Sequence, residues 1–258
     1  MNFIDEATKL SFILNQDDFT AHVSGSLNSL QYIFIPRSIK QGLHEYKVTR
    51  ISKCAFKNCS HVTSVDFPED SELEVIDDEA FSNSYNLNSM VIPDKVKKIG
   101  DNAFYECLEL NQLIISNNSE LVSIGNFAFA HNRRLNINFI PNHVKFIGES
   151  AFIECSLSES IISENSELVS YEKDVFNNTD KKTIYIPEKM SQLKDNWCNG
   201  LKYFKDIKVS PKNKFFKYID DVLLVGKTDE KSDNYDILYF VNPRVKQIII
   251  PSNIKYIK

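Results

Sequence analysis

Apolar positions return in the same order along most of this chain. Leu87-x-x-Met90-Val91-Ile92-Pro93 is followed by Val96-x-x-Ile99-Gly100 and then by Ala103-Phe104-x-x-Cys107. The Ala-Phe pair recurs at Ala55-Phe56, Ala80-Phe81, Ala128-Phe129 and Ala151-Phe152, and as Val175-Phe176, so the phenylalanines step by 25, 23, 25, 23 and 24 residues. A fixed period in this range marks a solenoid built from one short coil per unit. Leu87–Ile92 and Val96–Ile99 alternate as short strands do. The Ala-Phe segment is too short for a full helix, so a single helical or 3₁₀ turn with Ala and Phe inward is predicted there. One unit alone leaves its upper and lower apolar faces bare. Stacked units cover each other and pair their strands in parallel, which predicts a mainly β, right-handed repeat solenoid with two parallel ladders.

The alternation of unit lengths has a visible cause. Longer units carry an insertion before the second strand, Glu69-Asp70-Ser71-Glu72-Leu73 and Asn117-Asn118-Ser119-Glu120-Leu121, with Ser166-Glu167-Leu168 as a later copy. Shorter units have only Asp94-Lys95-Val96 or Asn142-His143-Val144. This points to a duplicated pair of units as the ancestral block.

Both ends of the array depart from the pattern. In residues 1–45 the turn-like Asn15-Gln16-Asp17-Asp18 separates two apolar runs, and Tyr32-Ile33-Phe34-Ile35-Pro36 resembles a first strand, so a capping hairpin and one strand are predicted. The repeats proper occupy 46–211, where Asp195-Asn196-Trp197-Cys198-Asn199-Gly200 reads as a seventh turn with Trp197 in the Phe place. Residues 212–246 read as a β-hairpin insertion, with strands at 215–225 and 236–240 joined by a polar loop. Gln247-Ile248-Ile249-Ile250-Pro251 begins a further unit, truncated at 258 before its Ala-Phe turn. An unfinished coil has an uncovered edge, so a longer parent protein is expected, with self-association through that edge as one outcome.

Composition narrows the class. Apolar residues make up 42% and charged residues 25% of 258, which is ordinary for a folded globular chain. A net charge of −5 gives no cationic footprint, so nucleic acid is a poor candidate partner. The acidic start Met1-Asn2-Phe3-Ile4-Asp5-Glu6 lacks the features of a secretory signal, and no apolar run is long enough to span a membrane. An anchor beyond Lys258 would lie outside this sequence.

Candidate chemistry is sparse. Cys59, Cys107 and Cys155 each lie three residues after a repeat Phe, with Ser84 and Asn132 at that place in the units between. Coils two apart are about 10 Å distant by strand spacing, whereas a disulfide needs Cα atoms within roughly 7 Å. These cysteines are therefore expected as free, buried thiols in a ladder with Ser and Asn. Cys54-x4-Cys59-x-His61 has no complementary Cys/His group, so no metal site is assigned. His22, His44, His61, His131 and His143 fall at unrelated repeat positions without a nucleophile at an interpretable spacing, so no catalytic residue and no cofactor is assigned. Asp220-Asp221 and the acidic run Glu69, Asp70 and Glu72 read as solvated loop charges. Gly100, Gly125 and Gly148 follow the second strand, where a left-handed residue would fit. Sequons at Asn58, Asn117 and Asn177 are expected by chance in so asparagine-rich a chain.

The sharpest lead is a row. In the first strand, the residue before the last inward apolar position should face out, and successive units place Asp66, Val91, Ile114, Phe139, Ile161 and Tyr185 there. Val91, Ile114, Phe139, Ile161 and Tyr185 thus form a candidate partner-binding strip. The alternative is that β-branched and aromatic residues there only favour strand structure. Asn138 falls by count on an inward position, and a one-residue bulge would return Ile137 to the core. Arg50, Lys97, Lys98 and Lys145 on the second strand predict a cationic, solubilising face elsewhere.

The spacing Leu-x-x-Ile-x-Ile-Pro, Val-x-x-Ile-Gly, Ala-Phe-x-x-Cys resembles the leucine-rich repeats of the BspA type, over about Tyr32 to Lys258. That family comprises surface proteins of mucosal bacteria and of protozoan parasites. The resemblance implies adhesion or host-protein binding without catalysis, at the cell surface or after secretion. The reading set against it is an intracellular scaffold that assembles protein partners in the cytoplasm.

Overall fold

The repeat phenylalanines form one column. In the computed structural model, which describes residues 1–27, 29–137, 139–157, 161–180, 182–200 and 204–258, the rings of Phe56, Phe81, Phe104, Phe129 and Phe152 follow each other at 5.2 to 5.4 Å between centroids, within 14° of parallel. Phe176 continues the column at 6.3 Å. All six are at most 1% exposed. A column of this kind can form only if successive coils lie directly on one another, which makes the molecule a β-solenoid.

The turns that deliver these rings are not helical, contrary to the sequence expectation. Along Asn102–Cys107 the backbone amides alternate in their choice of partner. Those of Asn102, Phe104 and Glu106 donate to Asn126, Ala128 and Ala130 of the next coil at 2.8 to 3.0 Å. Those of Ala103, Tyr105 and Cys107 close turns onto Gly100, Asn102 and Phe104 of their own coil. Half of the amides thus stitch coil to coil, and a helix, which keeps its bonds within one segment, cannot do this. Two left-handed residues four apart make the alternation geometrically accessible, as at Asn102 and Glu106 (φ 54° and 53°), or Asn196 and Gly200 (60° and 68°).

That pair also fixes the register of the seventh corner. Asn196 aligns with Asn102, so Trp197 stands in the Ala place and Cys198 in the Phe place, one residue off the sequence assignment. Trp197 accordingly stacks on Tyr171 of the preceding coil's second strand (6.0 Å, 5°), not on Phe176. Gly100, Gly125 and Gly148 are not left-handed either. They are needed for close approach: a Cβ on Gly100 would lie 2.5 Å from the backbone nitrogen of Asp78 in the coil before.

Two strand ladders accompany the corner. The second-strand ladder runs in parallel from His44–Ile51 through Val75–Ile76, Lys98–Ile99 and Ser123–Ile124 to Phe146–Ile147. It restarts at Ser170–Tyr171 with Gln192–Leu193. The antiparallel meander Asn2–Asp5, Leu10–Asn15 and Thr20–Ser26 joins this sheet through His44–Ile51 and buries Leu10, Phe12 and Val23 in the same core. The inserted segments have a structural logic. Ser71, Ser119 and Ser166 are buried, and each hydroxyl accepts the amide of a buried Leu two residues on, at 3.2 to 3.3 Å.

The first-strand ladder is shorter. Tyr32–Phe34, Ser64–Asp66, Ser89–Ile92 and Gln112–Ile115 pair in parallel, and Thr183–Ile186 pairs with Asp206–Val209. Among the described residues this ladder has no strand between Ile115 and Thr183.

The C-terminal part is a sheet of its own. Phe216–Ile219, Leu223–Gly226 and Ile237–Val241 are antiparallel, and Tyr256–Ile257 adds in parallel. The first predicted strand therefore folds back on itself through Asp220-Asp221, both left-handed (φ 50° and 57°), the mark of a type I′ hairpin. Buried Asn213 anchors it. Its amide donates to the Pro187 and Met190 carbonyls at 2.7 and 2.9 Å, and its oxygen accepts the Phe215 and Phe216 amides at 2.8 Å.

Candidate recognition face

On the first-strand ladder the outward column reads Phe34, Asp66, Val91 and Ile114, with Phe34 paired to Asp66 and Val91 to Ile114 across the coils. Phe34, Val91 and Ile114 are 43%, 44% and 56% exposed, and Tyr32 in the next column is 52% exposed. Regular pleating explains this arrangement: Ile33, Val65, Met90 and Leu113 take the inward places, so their neighbours must face out. The Tyr32 hydroxyl donates to Asp66 Oδ2 at 2.9 Å, which ties the polar member of the column to its aromatic neighbour and raises the phenol pKa.

The expected strip is only partly assembled. Val91 and Ile114 are outward, as the alternation requires, while Phe139 and Tyr185 are half-buried. Ile161 is fully buried and does not belong to the strip. The reason lies in the inward slot. By count, Asn138 and Ser160 stand where other coils bury Met90, Leu113 and Ile184. A polar side chain fills an apolar slot only at a cost of desolvation; Ile137 and Ile161, which neighbour these positions, are buried at 3% and 0% exposure. Asn138, Glu159 and Ser160 lie outside the described residues. Conversely, the row extends to Phe34 and Tyr32 at the N-terminal end. The alternation in Tyr32-Ile33-Phe34-Ile35-Pro36 could have placed them there from sequence.

A cleft of about 390 Å³ borders this face, lined by Phe67, Pro68, Val91 and Pro93 and by Asp66, Glu69 and Asp94. The rim is acidic. Glu72 is not a free loop charge: Lys95 of the next coil (2.7 Å) and Arg37 of the preceding one (3.2 Å) both hold it, and the Lys95 hydrogen bond keeps its carboxyl below the usual range. Glu167 repeats the device between Lys189 and Lys145. The second-strand face is not a positive sheet, because Arg50 pairs with Asp77 at 2.8 Å and Lys97 with Glu74 at 3.1 Å.

The cysteines form a structural column. Ser84, Cys107, Asn132 and Cys155 donate to the carbonyls of Phe56, Phe81, Phe104 and Phe129 in the coil before, at 2.7 to 3.1 Å. All five cysteines are free. Burial pushes the Cys107 thiol up to about 12 and raises that of Cys155 further, so neither is a nucleophile at neutral pH. Cys59, in the first coil, is only half-buried, since no earlier Phe carbonyl is there to receive it. His131 lies 3.3 Å from Glu154, which Arg133 also grips at 2.7 Å, yet the adjacent thiol is the buried Cys155. Among the described residues no three His, Cys, Asp or Glu side chains converge as a metal site would require. Among the described residues no helix is long and apolar enough to cross a membrane.

The family model described as BspA type leucine-rich repeat region matches residues 28–132 and 74–208 in 6 copies. A leucine-rich cell surface protein of Faecalibacterium prausnitzii is similar in structure, with TM-score 0.73 and 25% identity over 93% of this chain. The chain spans 61% of that protein's length. A leucine-rich repeat protein of Bacteroides ovatus (TM-score 0.55, 22% identity, 81% of this chain and 67% of that one) shares the fold. So does the Treponema pallidum leucine-rich repeat protein (0.52, 21%, 75% and 82%). No curated protein shows a significant match to the sequence.

Proposed function

The chain belongs to the BspA-type leucine-rich repeat family, and from that premise we propose that it is a non-catalytic module that binds a protein at a cell surface, in the manner of an adhesin. The observation that carries this reading is the exposed column Phe34, Val91 and Ile114 on a rigid parallel sheet, beside the acidic cleft at Asp66, Glu69 and Asp94. An apolar row rimmed by one sign of charge suits a partner with an apolar centre and a basic border. Phe139 and Tyr185 flank the row and contribute their exposed edges.

The test is Ile114→Asp together with Val91→Asp. Both side chains point to solvent, so the fold should hold, with thermal unfolding shifted little. Proteins retained from solubilised surface fractions by the wild type should be lost from the double variant. Equal retention by the two would remove this face from the proposal.

A second reading has one observation in its favour. Five cysteines without a disulfide suit a reducing compartment, where an intracellular scaffold would work. Biotinylation of intact cells separates the two: labelling of this chain supports the surface reading, and its absence, with labelling restored after lysis, supports the scaffold.

A further inference from the structure

A second concavity lies away from this face, between the seventh corner and the C-terminal sheet. It is a cleft of about 550 Å³, within the size range of small-molecule sites. One side of it comes from the seventh corner. Cys198 occupies the place where six earlier coils bury a phenylalanine ring, and a cysteine leaves most of that volume unfilled. Trp197, drawn instead onto Tyr171, backs the cleft together with Phe204. Tyr239 and Phe240, both half-buried, wall it from the sheet. Phe240 meets Trp197 at 6.3 Å and Phe204 at 5.0 Å, each pair tilted by 64°, so the aromatic wall is fixed by mutual packing.

The rim is polar and uncommitted. Asn178 and Asn196, both left-handed corner residues, present side-chain amides that make no hydrogen bond among the described residues, and the same holds for the Tyr239 hydroxyl. Lys194 and Asp195 stand side by side on the lining, and Lys258 joins them with its Nζ 5.7 Å from the Tyr239 ring centroid. Charges of both signs face the cleft: the two lysines disfavour a cationic guest, and Asp195 opposes a wholly anionic one. A wholly apolar guest would cover the amides and the phenol without pairing them, at a cost for each group left unsatisfied. A sugar ring meets all of these conditions: its C–H face lies on an aromatic wall, and its hydroxyls both donate and accept, as amides, phenol and carboxylate require.

We propose that this cleft binds a neutral saccharide of one or two rings. The site is separate from the Ile114 face, so failure here and failure there are read independently. Trp197 is the chain's only tryptophan and reports directly on the cleft. Titration with lactose, cellobiose and N,N′-diacetylchitobiose should give, for at least one of them, a saturable change in Trp197 emission. Asn196→Gly removes one amide while keeping a backbone that glycine adopts freely, so folding should be retained while binding weakens by about tenfold. Tyr239→Phe keeps the wall, removes the hydroxyl and should weaken binding less than Asn196→Gly does.

Three results would each overturn the proposal. One is no saturable change with any of the three sugars up to about 50 mM. Another is binding by Asn196→Gly equal to the wild type. The third is saturation by choline or N-acetylphenylalaninamide where the sugars fail.

Discussion

The Ala-Phe corner and the first-strand face belong to the same coils, yet among the described residues the corner repeats in every coil while the strands of the face fall into two separate groups. At the corner, each coil from Cys54 to Asn178 hands amides to its successor, and all seven, through Gly200, carry the same pair of left-handed residues. On the first-strand face, the described residues form ladder strands up to Gln112–Ile115 and again from Thr183–Ile186, and between them the Ile140 amide donates to the Ile161 carbonyl at 2.7 Å. The corner thus holds the stack in register, which leaves the open face free to vary. A rigid spine with a variable face is the arrangement recognition requires.

The largest expected effect sharpens this contrast. Phe104→Ala removes one ring from the column and should destabilise by ~3–5 kcal/mol, with urea unfolding shifted to match. Phe139→Ala, on the lapsed face and only half-buried, should cost well under half as much. Equal costs would mean that the column does not carry the stack.

Gly100→Ala comes next. Its Cβ would press on the Asp78 backbone, an overpacking expected to cost about 1–3 kcal/mol in the same measurement. Wild-type stability in this variant would show that the coils have slack.

Cys107→Ala deletes a buried donor to the Phe81 carbonyl and should cost about 1–2 kcal/mol. Cys107→Ser restores the donor and should recover part of that. Native-state alkylation near pH 8 should label exposed Cys54 at once and leave Cys107 and Cys155 untouched until the chain unfolds. Rapid labelling of Cys107 would contradict the buried column.

The smallest effect is electrostatic. Glu72→Gln breaks the Lys95 and Arg37 clamp and should cost at most about 1 kcal/mol, less in high salt. Because the folded carboxyl titrates below its ordinary range, its stabilisation is present above that range. The contribution is lost as pH falls through the depressed value, so the difference between variant and wild type should vanish in acid.

Much of this was legible in the sequence, for definite reasons. The Phe column, the Ser/Cys/Asn ladder and the inserted Ser-x-Leu segments repeat at fixed offsets, and periodicity is the strongest signal a chain offers. Trp197 was assigned one place off because aromatic size was matched to aromatic size. The Asn196 and Gly200 pair, four apart like Asn102 and Glu106, held the true register. Strict alternation points Ile161 outward, but in its coil no first strand is found among the described residues. The 550 Å³ cleft was illegible, since it needs a sheet 40 residues downstream to close it.

The column behind the phenylalanines asks little of its occupants. Serine, cysteine and asparagine all serve, because the preceding carbonyl needs only a short side chain able to share a proton at about 3 Å. Chemically unlike residues are therefore interchangeable rungs. Relatives of this chain can drift there without losing their shape, and letter-by-letter comparison would score as change what the backbone experiences as the same bond.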